Sequence, residues 1–141
     1  MILFFFETTF QLLHKRPLKK WLNEVAKHEN RKMGDVNIIF VNDEQLLNLN
    51  KQYLNHKTLT DIITFDYSEE KNIHGDVFIS IERVKENAQK YHCVFEEELN
   101  RVMAHGIFHL CGYKDKKKSD EILMKQKEEE ALFLFNAQFN Y

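Results

Sequence analysis

Two cysteines, one proline and four glycines are all that 141 residues contain of the residue types that most constrain a backbone. Cys93 and Cys111 are too few for a disulfide framework, which excludes the small stapled secreted class and suits reduced thiols in a cytosol. Each reads as a small buried hydrophobe. Pro17 is the only proline, and no stretch is low in complexity, repeated or linker-like, so a single domain over residues 1–141 is expected. The formal charge of −2 excludes a global basic field, and any contact with RNA or DNA needs a local patch. No apolar run is long enough to span a bilayer. The opening Met1-Ile2-Leu3-Phe4-Phe5-Phe6 is far too short, and it lacks the basic flank of a signal peptide, so a membrane is not an expected partner.

What is present is ample core material: 43% hydrophobic residues, 13% aromatic, twelve of them Phe. Residues 2–6 form an aromatic-rich run of strand length. Pro17 suits the first turn of a helix, and Leu18, Trp21, Leu22 and Val25 recur at helical spacing to about residue 28. Lys15, Arg16, Lys19 and Lys20 around its start read as a solvated face. Gly34-Asp35 is expected to turn the chain into a β-branched strand over 36–41, parallel to the first because a helix joins them. Asn42 and Gln45 form a capping box for a helix ending near 54–55, with Leu46, Leu49, Asn50 and Tyr53 facing inward. Residues 60–65 and 75–80 read as an antiparallel hairpin, followed by a helix over about 81–92. Phe95, Leu99, Val102 and Met103 make an apolar stripe on the next helix. The last helix spans about 119–136, with Leu123, Met124, Lys127, Ala131, Leu134 and Phe135 on its buried side. The mixed order predicts an α+β fold: a small mixed four-stranded sheet packed by about five helices.

The apolar stripe leads into His105-Gly106-Ile107-Phe108-His109. Histidines four apart share a helix face, so both imidazoles can reach one ion. Gly112 can turn the chain back and bring the Asp115 carboxylate beside them. Two His and one carboxylate leave a coordination position open, as catalytic zinc sites do. A bare H-x-x-x-H pair is weak evidence, since two polar residues on neighbouring turns are common. Gly106 within the helix points to a packing reason. It also stands where a zinc protease keeps its glutamate base, which weakens a metalloprotease reading.

Three blocks together are more specific. His105-Gly106-x-x-His109-Leu110-x-Gly112-Tyr113, the upstream Leu49-Asn50-x-x-Tyr53 with Thr60-Asp61-Ile62-Ile63-Thr64-Phe65, and Gly75-Asp76-Val77-Phe78-Ile79-Ser80 stand in the order and spacing of the YbeY family, which the chain resembles over roughly residues 35 to 135. Glu98 stands where that family usually has an acid. The resemblance implies a metal-dependent, single-strand-specific endoribonuclease of rRNA maturation and ribosome quality control. It also implies a cytoplasmic location and rRNA or ribosomal particles, with a ribosomal protein, as partners. It implies one Zn2+ per chain on His105, His109 and Asp115, the last in place of the family's third histidine. A carboxylate there lowers the charge of the site by one and makes a bound water less acidic. The structural alternative for Asp115 is a surface acid paired with Lys116 or Lys117.

Other departures bear on chemistry. The family arginine after Tyr53 is Leu54, which cannot hold a phosphate. Lys51, His56 or Lys57 are the nearby groups that could compensate, and the family aspartate after Tyr113 is Lys114. Asp61, His74 and Asp76 are candidates for a general acid only through their place in matching blocks, and turn or capping roles suit the two aspartates as well. Lys114, Lys116, Lys117 and Lys118 offer phosphate contacts beside the ligand helix, or an ordinary solvated loop. The alternative function is a ribosome-assembly factor that binds RNA or ribosomal protein with little catalysis, which Leu54 favours.

Overall fold

Four apolar stretches pair into one sheet, and the helices between them supply its cover. In the computed structural model, which describes residues 1–54 and 60–139, the order is β1 (Ile2–Phe6), α1 (Lys15–His28), β2 (Lys32–Val41), α2 (Asp43–Tyr53), β3 (Ile62–Asp66), β4 (Asn72–Ser80), α3 (Ile81–Lys90), α4 (Phe95–Leu110) and α5 (Lys118–Phe139). The sheet order is β1-β2-β4-β3. Strands β1, β2 and β4 are parallel, and β3 closes a hairpin antiparallel to β4. This is the mixed four-stranded α+β domain with five helices that the periodicity predicts. Among the described residues, no helix is long and apolar enough to cross a membrane.

Alternation along the strands decides where the core lies. Val36, Ile38 and Phe40 of β2 and Ile73, Val77 and Ile79 of β4 are fully buried on one face. Phe40 stacks on Phe4 and Phe6 at centroid distances of 6.1 and 5.4 Å, so β1 and β2 share one aromatic layer. Trp21 of α1 is fully buried. Its indole N–H donates to the Ala131 carbonyl of α5 at 2.8 Å, and its ring meets Phe135 edge-on, which locks the first and last helices together. The capping box of Asn42 with Gln45 forms as expected.

One expectation needs correction. Gly34-Asp35 is not a turn. Strand β2 starts at Lys32 and runs through both residues, with an irregular register between Met33 and Val36. The cause lies across the sheet: the Asp35 N–H donates to His74 Nδ1 at 2.9 Å, and the His74 ring fills the space where a side chain at residue 34 would stand. Pro17 stands at the third position of α1, which begins at Lys15, and so falls in the first turn of the helix as expected.

Gly106 supplies the packing reason that its position implies. A Cβ on it would stand 2.9 Å from Val77 Cγ1 and 3.1 Å from Ile62 Cδ1, so the bare backbone lets α4 lie directly on the β3–β4 hairpin. Val77 is branched and fully buried, and has no free rotation with which to yield. Gly106→Ala is therefore expected to destabilise the fold by about 1–3 kcal/mol through overpacking, despite alanine's better helix propensity of about 1 kcal/mol. Urea denaturation of the two proteins checks this, and equal or higher stability in the variant would refute the close seat.

Candidate metal centre

Helix α4 packs Leu99, Val102, Met103, Gly106, Ile107 and Leu110 into the core and carries Glu98, itself buried, with Arg101, His105 and His109 along one side at spacings of 3, 4 and 4. The helix ends in a Schellman turn. Gly112 has φ +100°, its N–H donates to the His109 carbonyl at 3.0 Å, and the Tyr113 N–H donates to the Phe108 carbonyl at 3.0 Å. The Tyr113 and Phe108 rings meet edge-on at 5.7 Å, the apolar contact that accompanies such a turn. The reversal carries Asp115 back over the helix end.

Asp115 Oδ2 then lies 3.2 Å from His105 Nε2 and 3.3 Å from His109 Nε2, and the two Nε2 atoms are 2.8 Å apart. Tetrahedral coordination at 2.0–2.1 Å puts ligand atoms about 3.3 Å from one another, which matches the two oxygen–nitrogen separations and exceeds the nitrogen–nitrogen one by about 0.5 Å. Each imidazole is oriented through its other nitrogen. His105 Nδ1 meets Glu128 Oε2 of α5 at 2.6 Å, and His109 Nδ1 donates to the Tyr113 carbonyl at 2.9 Å. Those bonds leave both Nε2 atoms as free acceptors aimed at one point. Among the described residues this is the one group of three or more His, Cys, Asp and Glu donors close enough to share an ion. Among those residues the ion-pair contacts of Asp115 are to His105 and His109, and none is to a lysine.

A cavity of about 610 Å³ opens beside His105, with Asp61, Tyr91, Glu98, Arg101 and Glu128 in its walls. Burial opposes charge on His105, but the Glu128 carboxylate outweighs it and raises the imidazole pKa. Burial pushes the Asp61 carboxyl up, against the pull of His105. Arg101 bridges the wall: it lies 3.4 Å from Glu98, 3.8 Å from Glu128 and 2.6 Å from Glu129. Cys93 and Cys111 are free thiols outside the donor group, Cys111 buried and Cys93 half-buried.

The structure thus brings together His105, His109, Asp115 and, in the adjoining cavity, Asp61 and Glu98. It does not bring in His74 or Asp76. Val77 faces Gly106 of α4, so its neighbour Asp76 points to the opposite face of the sheet, where it accepts from Asn37 Nδ2 at 2.9 Å. His74 is spent on the Asp35 amide. Leu54 caps α2, 43% exposed, while His56 and Lys57 lie outside the described residues. Lys114, Lys116, Lys117 and Lys118 are all exposed. Glu128 is the functional residue that the sequence reading misses. The helical periodicity does not single it out and places Leu123 on the buried side of α5 instead. The stripe that α5 buries is Met124, Glu128, Ala131, Leu132 and Phe135, and Leu123 is 42% exposed. The available signal is that Glu128, alone of the three consecutive glutamates 128–130, stands in helical register with Met124 and Ala131.

Comparison with known proteins gives a consistent result. A family model described as Endoribonuclease YbeY matches residues 7–136. A Flavobacterium psychrophilum protein named Endoribonuclease YbeY is 51% identical over 140 residues, covering 99% of this chain and 100% of its own. One of the same name from Flavobacterium johnsoniae is 49% identical over 138 residues, covering 98% and 99%. The solution structure of a Thermotoga maritima protein superposes with a TM-score of 0.68 at 29% identity, over 99% of this chain and 92% of that one.

Glu98 allows a test of the cavity's electrostatics. Burial pushes its carboxyl up to about 7, against the opposing pull of Arg101, whereas an unfolded glutamate titrates near 4.3. The folded form keeps a proton that the unfolded chain releases, so this group's contribution to stability is full below about 4.3 and is lost as pH rises through about 7. Metal-free Glu98→Gln should gain thermal stability relative to the parent between pH 5 and pH 8. A constant offset in Tm across that range would show that Glu98 ionises normally.

Proposed function

The chain belongs to the endoribonuclease YbeY family, and on that premise we propose that His105, His109 and Asp115 hold one divalent cation, zinc, at which an RNA phosphodiester is hydrolysed. The observation that carries the reading is the convergence of two Nε2 atoms and one carboxylate oxygen to within 3.3 Å of one another, with both Nδ1 atoms occupied elsewhere. The donor set fits zinc, which takes imidazole nitrogen and carboxylate oxygen at nearly equal distances. When bound, such an ion lowers the pKa of a water and draws charge from a phosphate oxygen.

The chain's own groups do the rest. Glu128 and the Tyr113 carbonyl fix the imidazole orientations before the ion arrives. We assign to Asp61 the delivery of a proton to the leaving oxygen, because burial raises its carboxyl pKa against the pull of His105 and it lines the same cavity as His105. The cavity wall is rich in carboxylates, whereas the exposed Lys114, Lys116, Lys117 and Lys118 adjoin Asp115 in the sequence and are not among the residues that line it. The RNA backbone therefore runs over the lysine loop, and that loop takes the place of the phosphate contact absent at Leu54. Single-stranded rRNA is the substrate, in ribosome maturation within the cytoplasm, and residues 1–141 act as one hydrolase unit. The second reading, an assembly factor with little catalysis, is favoured by Leu54 alone.

Purified parent should hold about one zinc per chain and cut single-stranded RNA, with cutting abolished by a chelator and by His109→Ala. Asp115→Ala should lose most of the metal. Equal metal content in parent and Asp115→Ala by elemental analysis would remove Asp115 from the site. Asp61→Asn should keep the metal and lower kcat by roughly 100-fold or more, within the range of general-acid catalysis. Metal-loaded parent that leaves RNA intact would favour the assembly factor.

A further inference from the structure

Beyond the three donors, the structure holds a second group of side chains that converges on His109 from remote parts of the sequence. Glu29 closes the C-terminus of α1, and Lys127 sits in the middle of α5. The Tyr113 hydroxyl donates to Glu29 Oε1. Lys127 Nζ donates to Glu29 Oε2 at 3.0 Å and lies 5.6 Å from the centre of the Tyr113 ring. The other side of that residue is fixed too: its ring meets Phe108 edge-on, its N–H is tied to the Phe108 carbonyl, and its own carbonyl accepts from His109 Nδ1. Tyr113 is thus held at hydroxyl, ring and backbone, and the carbonyl that orients His109 cannot rotate without breaking contacts at the far end of the side chain.

We propose that Glu29 and Lys127 are positioning residues for the metal centre, acting on His109 through Tyr113. The proposal rests on the reading of His105, His109 and Asp115 as cation ligands. Its physical content is pre-organisation. The Schellman turn brings the Tyr113 carbonyl near the imidazole, but a helix end frays easily on its own. The Glu29 carboxylate is largely buried, with its side chain 13% exposed. It bonds to a phenol and an ammonium from two other elements, and so pins the turn to α1 and α5 at once. Helix α5 thereby braces both imidazoles from consecutive residues: Glu128 grips His105 directly, and Lys127 secures His109 at two removes. Such a division explains why the last helix, which supplies no ligand, is tied so closely to the ligand helix.

The test uses Glu29→Gln and Tyr113→Phe in the full chain, with zinc as the probe. Zinc affinity is read by competition with a chromophoric chelator, and the ring tautomers of the metal-free protein are read from imidazole 15N shifts. Direct outer-sphere partners change metal affinity by about 10–100-fold. One link further out, each variant should weaken zinc by about 3–10-fold. His109 should pass from the Nδ1–H form to a tautomer mixture, while the His105 signals stay unchanged. Glu128→Gln should do the reverse, disturbing His105 and sparing His109. Zinc affinity within twofold of the parent together with an unchanged His109 spectrum in both variants would overturn the proposal. If Tyr113→Phe melts too low to assay, Glu29→Gln carries both measurements. A parent that binds no zinc would sink the ligand reading instead, and the tautomer measurement would still decide whether the brace exists.

Discussion

A carboxylate buried against an imidazole is the interaction on which this molecule depends. Glu128 lies on the apolar stripe of α5, where an uncompensated charge would be costly. It is compensated by His105 Nδ1 at 2.6 Å and by Arg101 at 3.8 Å, both on α4. The same contact therefore docks the last helix on the ligand helix and turns His105 Nε2 toward the proposed cation. Fold and site are coupled here, because removing either partner leaves a buried polar group without its bond.

The second constraint is how closely α4 lies on the sheet. Gly106, between the two histidines, lets the helix backbone rest on Val77 and Ile62, so the His side of the helix is set by the β3–β4 hairpin rather than by the helix alone. Gly112 then reverses the chain at a φ that other residues rarely adopt, and the reversal returns Asp115 to the imidazoles. One glycine in the motif fixes depth and the other fixes direction.

Charge is divided around the centre. Carboxylates predominate in the cavity beside His105, with Arg101 and Lys125 among them, while four exposed lysines, Lys114 and Lys116 to Lys118, neighbour Asp115 in the sequence. A net charge of −2 conceals this separation, since opposite patches cancel in the sum. Leu54 in place of a cation sits at the end of α2, the helix that covers the opposite face of the sheet with Leu46 against Val41 and Ile63.

Local pattern decided much of this protein before any folding. The periods of apolar residues fixed the order of strands and helices, Asn42 with Gln45 fixed a helix start, and His105, Gly106, His109 and Gly112 announced a helix that ends in a turn beside two like-facing imidazoles. Those features arise from interactions within a few residues, so their signal is written contiguously. Tertiary structure decided what is contributed across the chain. That Gly34 and Asp35 continue a strand follows from His74, 39 residues beyond Asp35. That Glu128 is buried follows from His105, 23 residues before it, and that Glu29 grips Tyr113 spans 84 positions. A charged residue is inside or outside according to whether a partner awaits it, and the partner's position is set only when the helices pack.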